Sequence, residues 1–335
     1  MNEKKQINNY PPQEVILRRI VWIDWAKTIG IFLVVLGHMR VLIGKQFIYM
    51  FHMAFFFMLS GYLLKHNSPY KEFRRSAKSL LLPYACFNCI LLLLAYVVGD
   101  FETSMIPQIM LCNYELFPVR YFNPLWFLIS LFIMRMICSF VCEEQLKYIA
   151  FISLLISMVL FYTRNLPLDN ESDYFQWATT CICLPSYIMG YYVRHYNWLS
   201  IPDQIHSVKI RTTLILLLLF GFAVVGRLNG RVNVFTCAVG HDITIYYIVS
   251  SLLSFMILYA ISKMMSAKNK FVEIISSGTI LILAMHVVMI DGLCYDVQMN
   301  SLLSILVGIV IMVISIMLIM LSLRYFPFIL GKSTK

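Results

Sequence analysis

Charge is scarce in this sequence. Asp, Glu, Lys and Arg make up 13% of its 335 residues, about half their share in an average soluble domain. Acids are the scarcer sign, 17 against 27 bases, giving a formal net charge of +10. Glycine and proline are few, at 14 and 11, which excludes collagen-like and low-complexity chains. Nine cysteines are an odd set, and nearly all sit in apolar runs. Cys86 and Cys89 form a C-x-x-C with no second pair to complete a zinc site. No metal and no disulfide framework is expected. A basic surface interleaved with aromatics is also missing, so the positive charge does not point to nucleic acid.

Apolar residues are abundant, at 60%, with a mean hydropathy of +0.76. A water-soluble globule of this length could not hide so much apolar side chain. A soluble enzyme, a disordered chain and a coiled coil are therefore excluded. The sequence reads as an all-α, polytopic integral membrane protein. Runs of about 20 apolar residues predict about ten transmembrane helices in one bundle, near 22–43, 47–64, 80–98, 122–142, 147–162, 174–193, 210–226, 243–262, 276–293 and 301–323. No internal repeat is visible. The polar residues 1–20 read as a cytoplasmic tail, 21–326 as one membrane domain, and 327–335 as a second cytoplasmic tail. The first apolar run is too long for a signal-peptide core and reads as a retained span. With both termini inside, 19 of the 27 bases fall in cytoplasmic loops, six outside, and Lys27 and Arg135 within spans. That split follows the positive-inside rule.

Ionisable side chains inside spans are costly and mark the places where function is to be sought. The first span carries Asp24, Lys27 and His38. Eleven residues separate Lys27 from His38, about 16 Å of rise and three turns plus about 20°. One face therefore presents an ammonium near the cytoplasm and an imidazole toward the far side. A neutral imidazole suits proton transfer from a hydroxyl near neutral pH. The bland alternatives are an interfacial Asp24 and a snorkelling Lys27, and a structural His38.

His52 opens the second span near His38. Ser60-Gly61, at its other end, reads as a close-packing site. The following loop, with Lys65, Arg74, Arg75 and Lys78, either fixes topology or receives phosphates. Arg135, His286 and the Asn229–Asn233 segment with Arg231 complete the candidates. Acyl transfer, secondary transport of an anionic or sugar-derived solute, and a scaffolding role all remain open on these residues.

At these residues the chain resembles the membrane-bound acyltransferase 3 family, in particular the fucose 4-O-acetylase-like O-acetyltransferases of surface carbohydrate. The resemblance rests on Lys27, ten residues, then His38, preceded by Ile23-Asp24. It continues in Phe51–Tyr62, Arg75-x-x-Lys78 before Leu80-Leu81-Leu82-Pro83-Tyr84, and Pro124–Leu128. Tyr187–Gly190, Asn229–Asn233, Thr279–His286 and Pro327–Lys332 follow in order. It implies an O-acetyltransferase of the cell membrane, with acetyl-CoA as cytoplasmic donor substrate and no permanently bound cofactor. A carbohydrate acceptor, free or lipid-linked, would be met on the other side. Catalysis would fall to His38 with Lys27 and Asp24, and donor binding to Arg74, Arg75 and Lys78. His52, Arg135, His286, Asn229 and Arg231 would hold the acceptor or the oxyanion. The chain departs from the family's Arg-x-x-Arg element: Lys78 replaces the second Arg, and its spacing to Pro83 is longer. Lysine is a point charge rather than a bidentate fork.

Overall fold

The computed structural model describes residues 20–332 apart from 114–119, 165–173, 206, 231, 235–237, 241–244, 266 and 296. The expected amino-terminal tail, Arg231 and the last three residues thus lie outside the described part. The chain opens with α1 (Val21–His38), α2 (Lys45–Tyr62) and α3 (Pro69–Ser76). A π turn, Ala77–Leu81, joins α3 to α4 (Leu82–Val98). Then come α5 (Met105–Met110), α6 (Trp126–Phe140), α7 (Leu146–Arg164), α8 (Trp177–His195), α9 (Ser200–Asp203) and α10 (Val208–Asn229). A two-residue antiparallel ribbon, Val232–Asn233 with Ala238–Val239, precedes α11 (Ile245–Met264). The rest is α12 (Lys270–Ser277), α13 (Thr279–Leu293) and α14 (Ser301–Tyr325).

A helix stands at each of the ten expected positions among the described residues. The expectation of ten spans is nonetheless larger than the number that meets length and apolarity together. Five helices do so, or up to seven if the bent pairs α6–α7 and α12–α13 each form one span. Helices α6 and α13 have 15 residues each, about 22 Å against a hydrocarbon core of about 30 Å. α2 and α8 carry Lys45, His52, Thr179, Thr180 and Arg194, and both bury most of their length inside the bundle. A helix surrounded by protein need not be apolar all round. By contrast, α10 buries only Phe222, Gly226 and Asn229, and its leucines face outward.

Helix packing in lipid gains little from the hydrophobic effect and depends on close approach. The α2–α8 crossing shows this. A Cβ at Gly61 would collide with the Tyr187 carbonyl, and one at Gly190 with the Met58 carbonyl. The two helices therefore meet backbone to backbone. α1 is central, packed by α2, α11, α12, α13 and α14.

Contacts between helix termini define two ends of the bundle. At one, Trp22 packs edge to face on Tyr62 and Tyr259, and Arg194 donates to the Tyr62 carbonyl. The loops richest in Lys and Arg lie here, so we call it the basic end. At the other, Arg40 pairs with Asp291 at 3.9 Å, and the Ile43 amide donates to Ser301.

Candidate active site

Three cavities lie in file along α1. The first, at the basic end, has a volume of about 260 Å³ and is lined by Lys27, Lys65, Glu72, Arg75, Arg135 and Tyr187 over a floor of Phe56, Leu59 and Leu63. Four cations face one carboxylate. Glu72 is buried and held by Ser76 at 2.9 Å and Asn67 at 2.7 Å, with Arg75 at 3.9 Å. Its charge is thus committed to shaping the loop, and the basin stays net positive. Arg135 reaches from α6 to donate to Ser79 in the π turn, at 3.3 Å.

Lys78, whose spacing to Pro83 is longer than the family's element implies, lies within the π turn Ala77–Leu81. A π turn holds more residues than an α turn.

The second cavity is a neck of about 40 Å³, walled by Ile31, Met53, Phe56, Phe127, Thr279, Ile280 and Leu283. It shares Phe56 with the basin, and Met53 and Leu283 with the third cavity. That third cavity, about 230 Å³, is lined by His38, Lys45, Tyr49, His52, Trp126 and Asn233 among others.

Three imidazoles gather here from three helices. The His38 ring lies 4.6 Å from that of His286 and 6.3 Å from that of His52, centroid to centroid. Each Nδ1 sits 2.8–2.9 Å from a carbonyl one turn back: Val34 for His38, Ile48 for His52, Ile282 for His286. A carbonyl only accepts, so each Nδ1 carries a proton, and in a neutral ring Nε2 is then the acceptor nitrogen. The Nε2 of His286 is buried and has no hydrogen-bond partner among the described residues.

The expected residues separate on this frame. Lys27, Arg75 and Arg135 come together in the basin, although Arg135 was grouped with the acceptor side in the sequence. Arg74 and Lys78 do not line it; both are exposed, and Arg74 lies over the Tyr70 ring. Asp24 is buried and accepts from Ser276 at 2.5 Å, which ties α1 to α12. Asn229 is buried beneath Gly240 and lines none of the three cavities. Lys65 lines the basin and Asn233 the far cavity, both from segments the sequence singled out, whereas sequence reasoning missed Glu72 and a site role for Tyr187 in the basin, and Lys45 and Tyr49 in the far cavity. Tyr49 lies three residues before His52, a helical spacing that could have been read.

A larger cavity of about 480 Å³ lies between α10 and α11. Its charged groups satisfy local partners: Lys263 and Tyr259 on Asp203 at 3.0 and 2.5 Å, and Arg211 on the Ile205 carbonyl at 2.6 Å. It stands apart from the file along α1.

A family model described as an acyltransferase domain matches residues 20–323. The chain belongs to the acyltransferase 3 family. That span takes in every helix from α1 to nearly the end of α14, so the file of cavities lies within an acyltransferase domain. The chain is a membrane acyltransferase, and the transport and scaffold alternatives fall behind. No curated protein and no solved structure matches it.

Proposed function

We propose that this acyltransferase moves an acetyl group from acetyl-CoA, at the basic and cytoplasmic end, to a hydroxyl of a cell-surface or exported carbohydrate at the other. It would work in the cell membrane as a relative of the fucose 4-O-acetylase-like enzymes. The observation that carries this reading is the file of cavities along α1, in which a cationic basin and a histidine-lined cavity each share wall residues with an apolar neck. Lys27, Arg75 and Arg135 hold the phosphates of the donor. Its pantetheine arm passes the neck, whose apolar walls suit a slender uncharged chain. From phosphate oxygen to sulfur the arm has the twelve bonds of a four-residue peptide, about 14 Å when extended. Lys27 and His38 are about 16 Å apart along the axis.

His38 Nε2 takes the proton of the acceptor hydroxyl as its oxygen attacks the thioester carbonyl. The tetrahedral intermediate collapses, and the leaving thiolate takes that proton from His38. Lys45 and Tyr49 supply the donors nearest the developing oxyanion. A neutral His52 protonated on Nδ1 offers only an acceptor, so it orients the sugar hydroxyl. His286, whose ring meets that of His38 edge to face at 4.6 Å, stabilises the imidazolium as it forms. A transient acyl group on His38 Nε2 would use the same atoms.

The test is the O-acetyl content of the host's surface polysaccharide by NMR, in a deletion strain complemented with wild type or His38→Ala at equal membrane levels. Ester lost on deletion and restored by wild type alone supports the reading. Full restoration by His38→Ala makes the histidine structural. A deletion that changes no ester removes the carbohydrate acceptor.

A further inference from the structure

Helix α8 carries an aromatic ladder from the basin to the surface of the basic end. Tyr187 lines the basin, and Tyr191 and His195 follow at four-residue steps, one above the other on a single face. Tyr191 and His195 are stacked at 5.6 Å with 25° between planes. Tyr191 also meets the ring of His66 at 5.8 Å, next to the basin residue Lys65. From Tyr187 to His195 is about 12 Å along the axis.

At the surface the ladder broadens. Tyr192 and Tyr196 are stacked at 5.7 Å and 13°, and Tyr196 and Trp198 at 6.3 Å and 19°. The backbone builds this arrangement. Asn197 adopts a left-handed conformation, φ 51°, and the amides of Asn197 and Trp198 donate to the carbonyls of Arg194 and Val193. That pairing is a Schellman motif, and it folds Trp198 back beside Tyr196. Tyr196 and Trp198 remain 60% and 42% exposed. Lys65 and Arg75 line the basin, and Arg194, on the same helix as the ladder, donates to the Tyr62 carbonyl. Glu143, the acid nearest the ladder, is engaged by the Tyr191 hydroxyl at 2.6 Å.

We propose that the exposed Tyr196–Trp198 platform stacks the adenine ring of the donor nucleotide while its phosphates lie over the neighbouring cationic basin. The inference rests on acyl-CoA as donor and adds a site for the end of the molecule that takes no part in the chemistry. Aromatic side chains bind bases by their π-faces, at about 1–3 kcal/mol per base, equivalent to about 5- to 150-fold in affinity. The rings stand in near-parallel pairs at the C-terminal end of α8, whose Tyr187 lines the cationic basin. Interfacial tyrosines and tryptophans that merely face headgroups require no such stacking.

The test uses the full chain in lipid nanodiscs and two probes, desulfo-CoA and 4′-phosphopantetheine, which lacks the 3′-phospho-AMP half. Isothermal titration should give a weaker Kd for desulfo-CoA in Tyr196→Ala, by about fivefold or more. Phosphopantetheine binding should stay unchanged, and Tyr196→Phe should keep wild-type affinity for both. Unchanged desulfo-CoA binding in Tyr196→Ala and in the Tyr196→Ala/Trp198→Ala double variant overturns the proposal, as does an equal loss for both probes. Wild type that binds phosphopantetheine as tightly as desulfo-CoA overturns the platform alone. Wild type that binds neither overturns the CoA donor as well.

Discussion

If the neck joins donor to acceptor, narrowing it should stop transfer without disturbing the basin. Gly30 offers the sharpest perturbation. A Cβ there would stand 2.8 Å from Phe55 Cε1 and 3.1 Å from Phe56 Cζ, where carbon atoms rest at about 3.5–4.0 Å. In Gly30→Ala the rings must therefore retreat by about 0.5–1 Å. Phe56 is a wall of the neck, whose 40 Å³ leaves little room to yield. Overpacking of this kind costs about 1–3 kcal/mol. Carried onto passage of the pantetheine arm, the same cost lowers kcat by about 5- to 150-fold. The cations of the basin stay in place, so the Kd for adenosine 3′,5′-bisphosphate, which has no pantetheine arm, should hold. Ile280→Trp narrows the neck from the α13 side and should act in the same direction. The assay is acetyl transfer in reconstituted vesicles alongside adenosine 3′,5′-bisphosphate titration, with elution as a monodisperse species confirming the fold. Wild-type turnover in both folded variants would show that the arm does not take this path.

The basin and its surroundings separate on paired substitutions. Arg75→Ala should raise the KM for acetyl-CoA by about tenfold or more, the loss of a charge-assisted contact, whereas Arg74→Ala, whose side chain lies outside the basin, should move it less than about threefold. His286→Ala should lower kcat by about 10- to 100-fold with little change in KM, and His38→Ala by about 100-fold or more; equal KM increases in both would assign them to binding. Gly61→Leu and Gly190→Val should each prevent accumulation of folded protein in the membrane, because the new side chain meets a backbone carbonyl that cannot move aside; normal yield and elution would refute the backbone contact between α2 and α8.

Much of the architecture was legible in advance. Apolar runs of spanning length placed a helix at ten positions because the bilayer leaves the backbone no other way to satisfy its hydrogen bonds. The Lys27–His38 face followed from helical periodicity alone, which is a local property of one segment. How many helices cross was harder to read, since α2 and α8 are polar for spans and are sheltered by neighbours that the sequence does not display.

The sequence by itself determined the helical membrane class, the basic loops and the α1 face with its ammonium and imidazole. Only the tertiary structure decided which residues share a cavity. It moved Arg135 to the basin, turned Asp24 toward Ser276, buried Asn229 and brought His286 within 4.6 Å of His38 from a helix 248 positions along. The physical reason is that a rotation or shift of one helix against another leaves every local pattern intact while exchanging the side chains that meet across it. Packing at contacts such as Gly61 and Gly190 sets that rotation, and with it the site.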